Sequence, residues 1–299
     1  MPGWRAARTG LIAAWLIGLA LLPAACNRPR PAPARPALFV VQDADTTIWL
    51  FGTIHLLPAG IDWQTPAMRD AVARSDLLVT EIPNGQLQGG AATFEKIAYA
   101  KTLPPELTRV SPNQRRALLR ALDAAGLTLA EADHLKTWAI ATLIGGGAAR
   151  AMDATRDNGV ETVLASAFAD AHKPQAGLES LTGQLGLFDT LPESEQRALL
   201  SSSLANLADP KRGYQATLDS WRRGDVAAMA ASFDPAFGNH PLLEETLVTA
   251  RNRRWVNWIA GRMRAPGTIL VAVGAGHLSG PKSVIAMLQA RGFAVRRVE

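Results

Sequence analysis

Strand signals stand at both ends of this chain and helical periodicity fills the stretch between them. Near the start, Leu38–Gln42 and residues 46–51 are short runs rich in β-branched and aromatic residues. Asp43-Ala44-Asp45 separates them, a spacing that predicts a hairpin. Near the end, residues 268–273 read TILVAV, the clearest strand pattern in the sequence, and 293–298 form a last strand. Residues 76–82 (DLLVTEI) and 173–178 are further strands. Helices are predicted over 66–74, 112–125, 129–144, 160–171 and 281–290. Helical periodicity also dominates 182–264, with breaks at Asp209-Pro210 and 234–241. Thr65 before Pro66 is an N-cap followed by proline at the first helical position. Ser111 with Gln114, and Thr128 with Glu131, fit the capping box. Gly145-Gly146-Gly147 interrupts the pattern as a hinge or a close packing point, and Gly292 is a C-cap. Strand–helix alternation at both ends around a helical middle predicts an α/β fold. We expect a central mixed sheet with flanking helices and a helical middle region covering a cleft.

The first 36 residues differ in kind. Arg5 and Arg8 precede an apolar run over 11–22 that ends in Pro23-Ala24-Ala25-Cys26, the order of a secretory signal. The run falls short of the roughly 20 residues that span a bilayer comfortably, although an uncleaved anchor is the competing reading. Cys26 sits where a bacterial lipoprotein carries its acylated cysteine, with Pro23 where leucine is usual. Acylation and simple cleavage are both open. Residues 27–36 read NRPRPAPARP, which favours extended polyproline II and a tether. The expected organisation is therefore a signal peptide over 1–25, a tether over 26–36 and a single domain over 37–299. The expected location is the periplasm or cell envelope.

Charge excludes one function class. The whole chain carries a net charge of +5, but residues 1–35 hold five arginines and no acid. Residues from 36 onward are neutral, so basicity is no argument for nucleic-acid binding. The 48% hydrophobic content suffices for a core, and one cysteine forbids a disulfide framework.

Common nucleotide-binding and hydrolase strings such as GxSxG, HExxH and GxxxxGK are absent from the sequence. His134, His172 and His240 read as helix-surface or loop residues. His55 and His277 differ. Each follows an apolar strand, each has glycine three residues before it, and each is followed by leucine. Glycine lets a strand exit tightly and lets another group approach the backbone. Glu81 closes DLLVTE and Glu179 closes QAGLE, so two acids share that placement. A carboxylate at the end of a buried strand needs a charge partner or a metal. Two imidazoles and two carboxylates at four strand ends make a candidate N2O2 metal site.

GTIHLLP at 52–58, Glu81, KPQAGLES at 173–180, Arg251-Asn252 and VAVGAGHLSGPKSV at 271–284 together resemble the TraB/GumN family, with the Tiki proteases as relatives. The match covers nearly all of the chain after the tether. The resemblance implies a fold shared with erythromycin esterases and a haem-binding group, with both GxxH histidines and the glutamates facing one cleft. It also implies metal-dependent peptidase chemistry with Mn or Co favoured, Zn also suiting the donor set.

The expected site is His55 and His277 binding a divalent metal, with Glu81 or Glu179 as third ligand and the other glutamate as proton acceptor. Arg251 is a candidate for oxyanion stabilisation and Asn252 for a hydrogen bond to substrate. The expected partner is a peptide or small-molecule substrate, with a membrane tether through lipid on Cys26. The competing class is a non-catalytic ligand- or haem-binding envelope protein, or a scaffold for polysaccharide processes.

Overall fold

The computed structural model describes residues 33–238 and 240–299. The expected signal peptide and tether residues 26–32 lie outside the described residues. Six strands form one mixed sheet: β1 (Leu38–Gln42), β2 (Thr46–Thr53), β3 (Leu77–Thr80), β4 (Gln175–Gly177), β5 (Gly267–Gly274) and β6 (Val295–Arg297). Their order is β4-β3-β5-β2-β1-β6. β2 and β5 run parallel over their full length, from Thr46 opposite Gly267 to Thr53 opposite Gly274. β3 is parallel to both β5 and β4. β1 is antiparallel to β2 and β6. The expected mixed sheet is present, and its four parallel strands bring the exits of β2, β3, β4 and β5 to one edge.

Period-2 alternation explains the layers. Ile48, Leu50, Val79, Ile269, Val271 and Val273 point to one face and pack on Trp255, Val256 and Ile259 of the helix Ala250–Arg262. Trp49, Phe51, Leu78, Leu270 and Ala272 point to the other. There they meet Met68 of the helix Pro66–Arg74 and Leu164 and Phe168 of the helix Val160–Asp170. Both faces of β5 are covered, which is why its sequence is apolar without alternation. Each such side chain contributes about 1.5–3 kcal/mol by leaving water.

The helical middle has its own core around Leu118, Leu122, Trp138, Ile144 and Leu200. Trp138 meets Phe94 edge-on and stacks on Phe188, and its indole N–H donates to Asp189 at 3.0 Å. No described helix is long and apolar enough to cross a membrane.

Three local differences from the sequence reading have physical causes. The single helix expected over 129–144 is two, Leu129–Asp133 and Thr137–Gly145. Its middle is diverted: Tyr99 bridges Leu135, Lys136 N–H donates to the Ala98 carbonyl, and Arg109 takes the carbonyls of Asp133 and Leu135. The helix expected from 281 starts at Val284, because Gly280 adopts φ +83° and Ser283 caps the Ala286 N–H. Residues 33–36, expected in the tether, join the domain: Ala34 is buried, its N–H donates to the Asp62 carbonyl, and Arg35 N–H donates to that of Arg222.

One buried acid in the helical middle makes a stability prediction. Glu106 is fully buried, with Arg109 Nη1 2.8 Å from its Oε2. Burial nevertheless pushes its carboxyl up to about 7 from an ordinary 4.5. The folded chain therefore holds a proton that the unfolded chain releases between those values. Stability from this group is full below 4.5 and falls as pH rises through 7, by on the order of 3 kcal/mol. Urea unfolding at pH 5 and pH 8 is expected to show that fall, and Glu106→Gln to flatten it. An unchanged slope in Glu106→Gln would refute the assignment.

Candidate functional site

The exit of β2 presents His55. Gly52, three residues before it, packs tightly on the neighbouring exit of β5: a Cβ there would lie 3.1 Å from the Ala275 Cα, so that backbone would have to give way by a few tenths of an ångström. His55 Nδ1 is 2.7 Å from Glu161 Oε1, and the Thr53 hydroxyl donates to the same oxygen. Glu161 lies in the first turn of the helix Val160–Asp170, whose N-terminus also favours a negative charge. The Glu161 charge raises His55 to about 9, so the ring is protonated at neutral pH. The imidazole is 64% exposed to the cleft, and water screens part of that attraction.

The exit of β5 presents His277 in the short turn Ala275–Leu278. Its ring lies 4.4 Å from the Trp255 ring, centre to centre. Burial lowers it to about 4, with Arg251 and His55 lowering it further against the pull of Glu81. It is neutral at pH 7. Nδ1 is 2.7 Å from Asn252 Oδ1, an acceptor, so the proton sits on Nδ1 and Nε2 carries the lone pair. Arg251 Nη1 donates to that lone pair at 3.1 Å, and Glu81 Oε1 is 3.9 Å away.

Glu81, at the exit of β3, is buried. Its Oε1 accepts from the Gly274 N–H at 2.8 Å, and its Oε2 from Arg251 Nη2 at 2.6 Å and Gln184 Nε2 at 3.1 Å. Burial pushes this carboxyl up, but His277, Arg251, His55 and the Gly274 amide outweigh it and hold it at about 2. Glu179, after β4, accepts from Arg251 Nε at 3.1 and 3.0 Å, from Trp255 Nε1 at 3.2 Å and from Arg254 Nη2 at 3.4 Å.

Arg251 ties these exits together. It follows a π-helical turn over Glu245–Thr249 and donates through Nη1 to the Leu247 carbonyl. Its carbon centre lies 4.8 Å from the Trp255 ring. Its Nε donates to Glu179, its other Nη1 hydrogen to His277 and its Nη2 to Glu81, with Glu179 Oε2 also 3.0 Å from Nη2. Arg251, the residue expected from the sequence to face a substrate oxyanion, also lines the cleft while it makes these contacts. Arg251 holds Glu81, Glu179 and His277 relative to one another.

His55, Glu81, Arg251 and His277 thus line one cleft of about 510 Å³. His55 and Glu81 also line a second lobe of about 360 Å³ with Glu161 and Gln184. Glu179 and Asn252 line neither lobe. Glu179 anchors Arg251. Asn252, wholly buried, accepts from His277 Nδ1 and donates to the Lys282 carbonyl. Sequence reasoning missed Glu161 and Gln184. An acid in a first helical turn normally signals only a favourable helix dipole, so Glu161 gave no distinctive mark.

Among the described residues no group of three His, Cys, Asp or Glu forms a ready metal cage. The cation between the carboxylates is Arg251. The donor types nevertheless suit a divalent ion, which would have to replace the proton on His55 and the Arg251 Nη1 hydrogen bond at His277 Nε2. Each imidazole is pinned through Nδ1 to a side-chain oxygen, the outer-sphere contact that metal-binding histidines use, and a buried ionised carboxylate stands beside them.

Comparison with known proteins adds a lineage to this geometry. The model of the TraB/PrgY/gumN family matches residues 37–297. The uncharacterized protein YbaP of Escherichia coli (strain K12) is 22% identical over 254 residues, covering 85% of this chain and 92% of that relative. YbaP of Shigella flexneri aligns with the same identity and coverage. No solved structure matches the chain.

Proposed function

The chain belongs to the TraB/PrgY/gumN family, and from that premise we propose that it is an exported, metal-dependent hydrolase acting on peptides. The observation that carries the reading is the pairing of two oriented imidazoles with an ionised Glu81 at one sheet edge. His55, His277 and Glu81 would hold the ion, with Mn, Co or Zn all suited to nitrogen and carboxylate donors. Bound there, a divalent ion would polarise a substrate carbonyl and acidify a water molecule. The chain's own residues do the rest. Glu161 and Asn252 fix which nitrogen of each ring faces the cleft. Arg251, Gln184 and the Gly274 N–H keep Glu81 charged and aimed. Arg5, Arg8 and the apolar run ending at Cys26 support export and leave lipid anchoring as part of the proposal.

A second reading is favoured by the opposite shifts of the two histidines. His55 is protonated and His277 neutral at pH 7, the division of labour of an acid and a base. His277 would then accept a proton and His55 donate one, without a metal.

Metal analysis and peptide cleavage separate the two. The purified chain is expected to carry Mn, Co or Zn after incubation with each, and His55→Ala/His277→Ala to carry none. Cleavage of unstructured peptides is expected to stop with chelator and to fall by about 10- to 100-fold in Glu161→Gln. Equal, near-zero metal in both chains would exclude the metal reading. Chelator-resistant cleavage would select the acid–base one. A Soret band on purification would point instead to haem binding.

A further inference from the structure

The two lobes of the cleft differ in character, with His55 and Glu81 standing between them. Phe188, Met229, Leu247 and Val248 wall the larger lobe. The smaller lobe sets a further cation, Arg156, beside His55 and the carboxylates of Glu81 and Glu161. The Arg156 side chain is exposed and has no acid within ion-pairing distance among the described residues. An unpaired surface arginine is ordinarily a solvated charge, and two observations argue against that here.

First, its backbone is fixed against the exit of β2. Leu57 and Thr155 exchange backbone hydrogen bonds of 3.1 and 2.9 Å, and the Val160 N–H donates to the Ile54 carbonyl at 3.1 Å. The Gly159 N–H closes the turn onto the Arg156 carbonyl at 2.8 Å. Gly159 itself lies so near His55 that a Cβ would fall 2.1 Å from the His55 carbonyl oxygen. Second, the segment that carries Arg156 also carries Glu161, the partner of His55. One stretch of chain therefore sets the state of the histidine and places a free guanidinium beside it. Arginine presents a planar fork of N–H donors suited to carboxylates, and a fixed backbone reduces the entropy lost when it binds one.

We propose that Arg156 is a specificity residue that reads a carboxylate on the substrate. The favoured substrate is then an amphipathic acyl compound, such as a short peptide. Its apolar part lies in the larger lobe, and its carboxylate lies beside His55 in the smaller one. This proposal rests on the hydrolase reading for the bond that is cut, but not for the ligand that is bound. Arg156 and His55 line the same lobe. The carboxylate would therefore sit within a residue or two of the bond at His55 and Glu81. It could be the peptide's own C-terminus or an acidic side chain.

Binding to the full chain tests this without requiring turnover. Three N-acetylated peptides share one apolar sequence: a free C-terminal acid, its amide, and an amide ending in glutamate. Calorimetry on chelator-treated protein is expected to show the acid binding about tenfold more tightly than the amide, or about 1.4 kcal/mol. Arg156→Gln should erase the difference, and Arg156→Lys should keep part of it. A gain for the glutamate peptide equal to that of the acid would show that a side-chain carboxylate is read as well. Equal binding of acid and amide, a preference that survives in Arg156→Gln, or no binding of any peptide would overturn the proposal. If the preference holds but no peptide is cut under any metal, the hydrolase reading fails and the carboxylate site stands. Cleavage at equal rates with and without the carboxylate would keep the hydrolase reading and remove Arg156 from substrate choice.

Discussion

Arg251→Met is expected to lower the stability of the fold by about 3–5 kcal/mol at pH 7, the usual cost of removing one partner from a buried charge cluster. Arg251 is 7% exposed and is the cation shared by Glu81 and Glu179, both at strand exits. Methionine replaces the volume of the stem and leaves two carboxylates without their common charge. Each keeps lesser partners: Gly274 and Gln184 for Glu81, Trp255 and Arg254 for Glu179. The Gly274 and Gln184 contacts solvate Glu81 without neutralising it, and Glu179 keeps one half-exposed cation, Arg254, at 3.4 Å. Burial alone pushes Glu81 upward, so the variant should recover stability on acidification as Glu81 takes up a proton. The sign is fixed by linkage. In the native chain Glu81 is held at about 2, and its stabilising contribution is present above its ordinary 4.5 and lost as pH falls through 2. In Arg251→Met that contribution shrinks or reverses at neutral pH. Urea unfolding at pH 7 and pH 4.5 measures both halves of the expectation. Adding Glu81→Gln and Glu179→Gln should return much of the loss, because no unpaired charge then remains. A loss under 1 kcal/mol, or one that does not change with pH, would show that the cluster does not depend on its arginine.

The same cluster explains why the site tolerates so many buried charges. A strand exit is a costly place for a carboxylate, and a guanidinium that serves two of them offsets that cost with one side chain. It also keeps Glu81 ionised, the state in which the carboxylate can ligate a cation or attract one.

The sequence made the sheet legible because strand runs and helix caps are local signals. The spans 38–42 and 66–74 fall where apolar runs, Thr65 and Pro66 put them. Glycine three residues before His55 and His277 marked two exits correctly as crowded places. Side-chain direction was not legible. Glu81 and Glu179 look alike in sequence, each closing an apolar strand. Glu81 lines the cleft while Glu179 lies behind Arg251, and only the neighbouring helix Ala250–Arg262 decides between them. Asn252 follows Arg251 in that helix, so adjacency suggested a shared role facing substrate. The helical turn instead sends Asn252 beneath His277. The long helix expected over 129–144 failed for a non-local reason: its carbonyls bond Arg109, a residue no periodicity links to them.

Gly159→Ala should be the most damaging single-methyl change near the site, costing about 3 kcal/mol. The argument is steric and not conformational, since Gly159 has φ −59° and ψ 144°, angles open to alanine. The added Cβ would lie 2.1 Å from the His55 carbonyl oxygen and 2.9 Å from that of Arg156. Both obstacles are backbone, so no side-chain rotation relieves them. The chain must part the segment 155–161 from the exit of β2, breaking the Val160 to Ile54 hydrogen bond and drawing Glu161 away from His55. Two readouts should then move together. Urea unfolding should report the lost stability, and the imidazole resonances of His55 should titrate below about 9, toward an unperturbed 6.5, as the Glu161 charge recedes. Gly186→Ala is the matched control: it lies inside the helix Leu181–Asp189 and a Cβ there meets nothing within 4 Å. That substitution should stabilise the chain by up to about 1 kcal/mol through helix propensity. If Gly159→Ala proves as stable as Gly186→Ala and leaves the His55 titration in place, the close approach that fixes Arg156 and Glu161 around His55 is not a feature of the molecule in solution.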